Sequence, residues 1–183
     1  INECLKIYRF DYIYRITGDN PLIDINVINK IKAISQKNEY DYIYCNTIPR
    51  GTRSELINKK AIFKLNKVLI ERKSTEYLSY YFFRKDLFKQ KILKMKKKLI
   101  SENRISFSID NKENYFIIKK IINKCKKNIF ANKIEILNEF HKLSNKEKGI
   151  LLSNQLKYIK LKTSTYDARI KGDKKNIKIK SLY

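Results

Sequence analysis

Hydrophobic and polar positions along the chain switch between a period of two and a period near 3.6, and each switch predicts an element boundary. Residues 12–17 are β-branched or aromatic apart from Arg15, which predicts a short strand inside a sheet. Gly-Asp-Asn-Pro follows. Gly18 is expected to turn the backbone where a side chain would clash, and Pro21 to stop the strand from continuing. Ile25, Val27, Ile28, Ile31 and Ile34 then recur at helical spacing, with Asp24 placed to cap the helix and Asn38-Glu39 to end it. Tyr40, Tyr42, Ile43, Tyr44 and Cys45 form a second strand whose tyrosines pack the sheet. The strand–helix–strand unit has the length of a parallel, right-handed crossover. Ahead of it, residues 1–10 place Cys4, Leu5, Ile7 and Tyr8 on one side of a helix.

Residues 46–55 read as a loop around Pro49 and Gly51, followed by the short apolar run Leu56-Ile57. Ligand contacts concentrate on loops carried by a rigid sheet, and arginine can hold a carboxylate or phosphate with two parallel hydrogen bonds. Arg50, Arg53 and Glu55 are therefore candidates, against the alternative of a solvated loop. Helices are predicted over 60–69 and 75–83, the second with Thr75 as a possible cap, and an edge strand over 88–94. Lys94, Lys96, Lys97 and Lys98 make an exposed connection. Ile105, Phe107 and Ile109 alternate with Ser106 and Ser108 as a strand, Asp110-Asn111 follows, and residues 113–127 are helical. Strand, aspartate, helix is the pattern already met at Asp19. Two carboxylates at strand ends can share a divalent cation with phosphate oxygens and water, and magnesium prefers such ligands. Two other readings stay open: an ordinary turn for Asp19 and a helix cap for Asp110. Ile134, Ile136, Leu137, Phe140 and Leu143 form a last amphipathic helix, and the single histidine, His141, is a surface or packing residue.

Composition adds limits. The length suits one domain with a real core, expected over 1–145, with 146–183 as a basic extension. Within that extension, 151–161 are read as an additional strand or helix and 162–183 as a partly ordered tail. Three widely spaced cysteines, Cys4, Cys45 and Cys125, suggest neither a disulfide framework nor a zinc site, and are expected to be buried thiols. No stretch is apolar for long enough to span a bilayer and no secretion signal is visible, so a cytoplasmic protein without membrane partners is expected. The net charge of +24 raises nucleic-acid binding as a rival function. It is discounted here because the excess is mostly lysine, accompanied by abundant Asn, Ile and Tyr, all with A/T-rich codons. A chain that opens at Ile1 on the last turns of a helix reads as a fragment, with earlier strands and helices upstream.

The runs YRITGDNPLID, YDYIYCNTIPRG, TEYLSYYF and ISFSIDNKENYFIIKKI, in that order over roughly residues 1–142, resemble the cytidylyltransferase family. Its spore-coat polysaccharide branch, related to the CMP-KDO and CMP-sialate synthetases, is the branch most similar to them. The resemblance implies an α/β fold of the nucleotide-diphospho-sugar-transferase type, a Rossmann-like mixed sheet flanked by helices. The glycine-rich basic loop of type ARxGSxRLPGK has no counterpart, so the chain is expected to lack the N-terminal nucleotide-binding portion. The implied activity is transfer of CMP from CTP to a sugar with Mg2+, releasing pyrophosphate, for cell-surface polysaccharide synthesis. The implied partners are CTP, a sugar acceptor and either a second copy or a separate N-terminal portion. On this resemblance Asp19 and Asp110 are the metal-binding, catalytic aspartates. Asn20, Asn46, Arg50, Glu55 and Glu76 are substrate-binding, with Asn46, Arg50 and Glu55 on the sugar side and Glu76 in the TEY segment. The family's TVDxPED stands here as SIDNKEN, and its GxDxE-like segment as Gly51-Thr-Arg-Ser-Glu55. A non-catalytic relative of the family is the further alternative.

Overall fold

A computed structural model of the chain describes residues 1–37, 39–69, 78–95, 104–125 and 133–152. In chain order the elements are α1 (Asn2–Ile7), β1 (Tyr12–Arg15), α2 (Ile25–Ser35), β2 (Tyr42–Tyr44) and β3 (Glu55–Asn58). They continue with α3 (Lys59–Val68), α4 (Leu78–Phe82), β4 (Gln90–Ile92), α5 (Lys112–Lys124) and α6 (Lys133–His141). A further helical stretch covers 145–152. The four strands form one mixed sheet in the order β1-β3-β2-β4.

The Leu56-Ile57 run, which the sequence marks only as a short apolar run after the 46–55 loop, is the middle of a strand. β3 is antiparallel to both β1 and β2, so those two run parallel but are separated by it rather than paired. Two apolar residues make a strand here because successive side chains point to opposite faces and both faces are covered. Leu56 and Ile43 pack with Val27 and Ile31 of α2 on one face. Ile57 and Tyr42 pack on the other with Ala61, Ile62 and Leu65 of α3 and with Tyr81 and Phe82 of α4. The β2 tyrosines pack the sheet as expected: the Tyr42 ring stacks 5.4 Å from Phe82 and 4.9 Å from Tyr44. β4 lies at the edge, parallel to β2, within the predicted 88–94. Asp24 caps α2 by accepting from the Asn26 N–H at 2.9 Å, and Asn58 caps α3 by accepting from Lys60 N–H at 2.8 Å. Of the residues expected on the inner side of α1, Leu5 alone is buried. Cys4 is exposed, unlike the buried Cys45 and Cys125, because a helix this short offers the core a single position.

A separate apolar cluster joins Ile105 and Phe107 to Ile117, Ile118 and Ile121 of α5 and Ile136, Leu137 and Phe140 of α6. Leu151, from the stretch set apart as an extension, is fully buried in it. The helix that carries Leu151 starts at a capping box, Ser144-Asn145-Lys146-Glu147. The Ser144 N–H donates to Glu147 Oε2 at 2.9 Å and the Glu147 N–H to Ser144 Oγ at 3.3 Å. Lys120 of α5 adds an ion pair at 2.8 Å to the same carboxylate.

Lys120 first, then the Ser144 donors, lower the Glu147 carboxyl from an ordinary 4.5 to about 2. Stability from this cap is therefore complete above about pH 4.5 and is lost as pH falls towards 2. Unfolding free energies measured across that range are expected to differ between the natural chain and Glu147→Gln at the upper end and to converge at the lower.

Candidate active site

The strand directions put one set of loops at one rim of the sheet. Arg15 pairs with Glu55, which pairs with Tyr44, which pairs with Ile92. The carboxyl ends of β1, β2 and β4 and the amino end of β3 therefore coincide. From this rim leave the loop with Asp19 and Asn20 and the loop with Asn46 and Arg50. Open α/β sheets usually take ligands outside the carboxyl ends of their strands.

Alternation predicts a strand over 105–109 with Asp110 just after it. The segment is extended but forms a single parallel bridge, Arg50 with Ser106, rather than a ladder. Its hydrogen bonds go instead to both rim loops and to the last helix. The Arg50 N–H donates to Ile105 O at 3.0 Å and the Phe107 N–H to Arg50 O at 2.8 Å. The Ile109 N–H donates to Asp19 O at 2.8 Å, and the Ser106 N–H to Leu151 O at 3.1 Å. Ser108, buried, donates from Oγ to Asn20 Oδ1 at 2.7 Å, while Asn20 Nδ2 donates to Thr17 Oγ1 at 2.6 Å. The loops bearing Asp19 and Asp110 are thus in direct contact although the two aspartates lie 91 positions apart in the chain.

Neither carboxylate is engaged elsewhere among the described residues. α5 is capped by Asn111, whose Oδ1 accepts from the Asn114 N–H at 2.9 Å, and not by Asp110, which is exposed beside it. Asp19 is half-buried in the turn closed by the Asn20 N–H to Thr17 O bond at 3.1 Å. Carboxylate oxygens on two touching loops are the donor type that suits magnesium. No group of three or more His, Cys, Asp or Glu forms a metal-holding cluster among the described residues. Any cation between Asp19 and Asp110 would need the remaining ligands from substrate and water.

Gly18 does not play the part expected of it, since nothing lies within 4 Å of a Cβ built there. Gly51 does. Its φ is +83°, and an added Cβ would lie 2.4 Å from the Phe107 carbonyl carbon and 2.6 Å from Ser108 N. The glycine lets the Arg50 loop lie directly against the 105–110 backbone.

The Glu55 carboxylate is occupied. Oε1 accepts from Arg15 Nη1 at 2.8 Å and from Ser79 Oγ at 2.8 Å, and Oε2 accepts from the Tyr42 hydroxyl. Burial, and then the Glu55 charge, push the Tyr42 phenol well above its usual range, so it stays protonated and donates. Arg50 is half-buried, and its backbone holds the 105–110 segment. Arg53 braces its own loop through Nε to Ile48 O at 2.8 Å. Asn46 is half-buried at the start of that loop, and Glu76 and Thr75 lie outside the described residues. Sequence reasoning missed Ser108, Asn111 and Gly51. Asp-Asn ahead of a helix offers two cap formers and does not say which is used.

The family model described as "Cytidylyltransferase" matches residues 1–153. The chain belongs to the cytidylyltransferase family. An uncharacterized protein of Methanocaldococcus jannaschii is 38% identical over 85 residues, covering 46% of this chain and 35% of that protein. A solved cytidylyltransferase from Leptospira borgpetersenii serovar Hardjo-bovis superposes with a TM-score of 0.65 at 22% identity, over 76% of this chain and 60% of that one. At that identity the likeness is one of fold, a mixed sheet flanked by helices. The chain spans less than two thirds of either protein's length.

Two stability comparisons check these placements. Asn111→Ala is expected to cost about 1 kcal/mol as a lost cap, whereas Asp110→Asn is expected to stay within about 0.5 kcal/mol of the natural chain, both by urea denaturation. Gly51→Ala is expected to destabilise by about 1–3 kcal/mol, through overpacking and a left-handed backbone, and Gly18→Ala by less than about 0.5 kcal/mol.

Proposed function

We propose that this chain carries the metal- and sugar-side part of a nucleotidyltransferase active site that moves CMP from CTP to a sugar hydroxyl. Membership of the cytidylyltransferase family supports the reaction class. The observation that supports the assignment of residues is the Ile109 N–H to Asp19 O hydrogen bond, which brings the Asp19 loop and the Asp110 segment together at the rim of the sheet. Cell-surface polysaccharide synthesis is the proposed setting, on the likeness of the GDNP, IPRG and SID segments to that branch.

In the proposed reaction the sugar hydroxyl oxygen attacks the α-phosphorus of CTP in line. A new phosphorus–oxygen bond forms as the bond to the bridging oxygen breaks, pyrophosphate leaves, and the hydroxyl proton passes to solvent. Asp19 and Asp110 would hold Mg2+, which when bound would supply positive charge to offset that of the phosphates. The loop of Asn46 and Arg50 faces the sugar, where an arginine side chain can orient an acidic group. The chain's own contribution is positioning and a fixed electrostatic field, and no side-chain nucleophile is needed.

The test is pyrophosphate release from CTP and candidate sugars by the longest in-frame protein that contains this chain. Release that depends on magnesium is expected, with kcat lowered at least about 100-fold by Asp19→Asn or Asp110→Asn. Rates unchanged in both variants would remove the two aspartates from the reaction.

A further inference from the structure

Glu55 stands where three of the candidate segments take root. Arg15 ends β1 and lies four residues before Asp19. Glu55 opens β3 and directly follows the loop of Asn46 and Arg50. Ser79 lies in α4, three residues after Glu76. The side chains of Arg15 and Glu55 are 22% and 17% exposed, and a bond of 3.3 Å between Arg15 Nη1 and Ser79 Oγ closes the ring of contacts. Tyr42 ties the same carboxylate to β2.

This arrangement bears on what Glu55 can do. Arg15 and Ser79 share Oε1 and Tyr42 takes Oε2, so three of the carboxylate's roughly four acceptor positions are in use. A sugar hydroxyl held by more than the one left on Oε2 would have to displace Arg15, Ser79 or Tyr42, and a displaced partner in a partly dry site is left without its acceptor. Partners on β1, β2 and α4 instead make the carboxylate a brace across the rim. The backbone path from Arg15 to Asp19 is short, and Asp19 O is the acceptor for Ile109 N–H, so slack at Arg15 reaches the contact between the two aspartate loops.

We infer that Glu55 is a positioning residue: its carboxylate, held by Arg15, Tyr42 and Ser79, fixes where the Asp19 loop meets the segment bearing Asp110, and it does not bind the sugar. The catalytic consequence rests on the proposed transferase reading, while the structural consequence does not. Rim geometry depends on the brace in either case.

Amide hydrogen exchange on the full chain separates the possibilities. Glu55→Ala is expected to speed exchange of the Ile109 N–H by about tenfold or more while the amides of Ile118 and Ile121 within α5 keep their protection. Glu55→Gln, which can still accept from Arg15 and Ser79 and can donate to the Tyr42 oxygen, is expected to return Ile109 to within about threefold of the natural rate. If Glu55→Ala does not fold, Ser79→Ala, which removes one donor only, is read at the same amide with the same expectation of faster exchange. In the CTP assay, Glu55→Ala is expected to lower kcat with the KM for the sugar within about twofold of the natural value. Unchanged Ile109 exchange overturns the inference, as does a raised sugar KM with kcat retained, which would make Glu55 a sugar ligand. Faster Ile109 exchange in a protein that turns over no CTP keeps the brace and removes the transferase reading alone.

Discussion

The site depends on one extended segment bonding through its backbone to three other parts of the chain. Residues 105–110 exchange backbone hydrogen bonds with Arg50, with Asp19 and with Leu151 of the last helix. Buried backbone donors and acceptors must be paired, and a segment that forms no ladder finds its partners in loops. That requirement is what draws the Asp19 and Arg50 loops together, with Ser108 and Asn20 adding a side-chain link. Gly51 permits the approach, because any side chain there would meet the Phe107 backbone.

The sheet supplies the frame for this contact. β3, placed antiparallel between β1 and β2, contributes Leu56 to the α2 face and Ile57 to the α3 and α4 face, so both sides of the sheet are anchored through one short strand. The same strand opens on Glu55, whose carboxylate bridges β1, β2 and α4 at the rim. Stability and site geometry therefore share an element. A substitution in β3 acts on both, and the variants that inform on the site are those outside its apolar positions.

Local chemistry made much of the chain readable. Asp24 is a cap with a helical run behind it, and the helical spacing of Val27 and Ile31 survives as burial against the sheet. Tyr42 and Tyr44 suit a pleated, half-buried surface, and they stack there. Ser144-x-x-Glu147 carries the capping-box pattern, a local signal that sequence reasoning missed, and marks a helix that runs into what read as a basic extension. By contrast, two apolar residues flanked by Glu55 and Asn58 carry too little pattern to signal a strand, and the choice between Asp110 and Asn111 as cap turns on a backbone angle that neither residue type dictates.

Periodicity, caps and breakers, all properties of neighbours within a few residues, sufficed to determine from the sequence the α/β class, most helices and the two loops with a carboxylate after an extended run. The order of the motifs along the chain pointed to the cytidylyltransferase family. Only the tertiary structure decided that β3 separates β1 from β2, that Asp110 leaves capping to Asn111, and that Glu55 is held by three donors. Each of those outcomes is a choice among partners distant in sequence, made by what else needs burial or a hydrogen bond at the same place, and no local pattern records such competition.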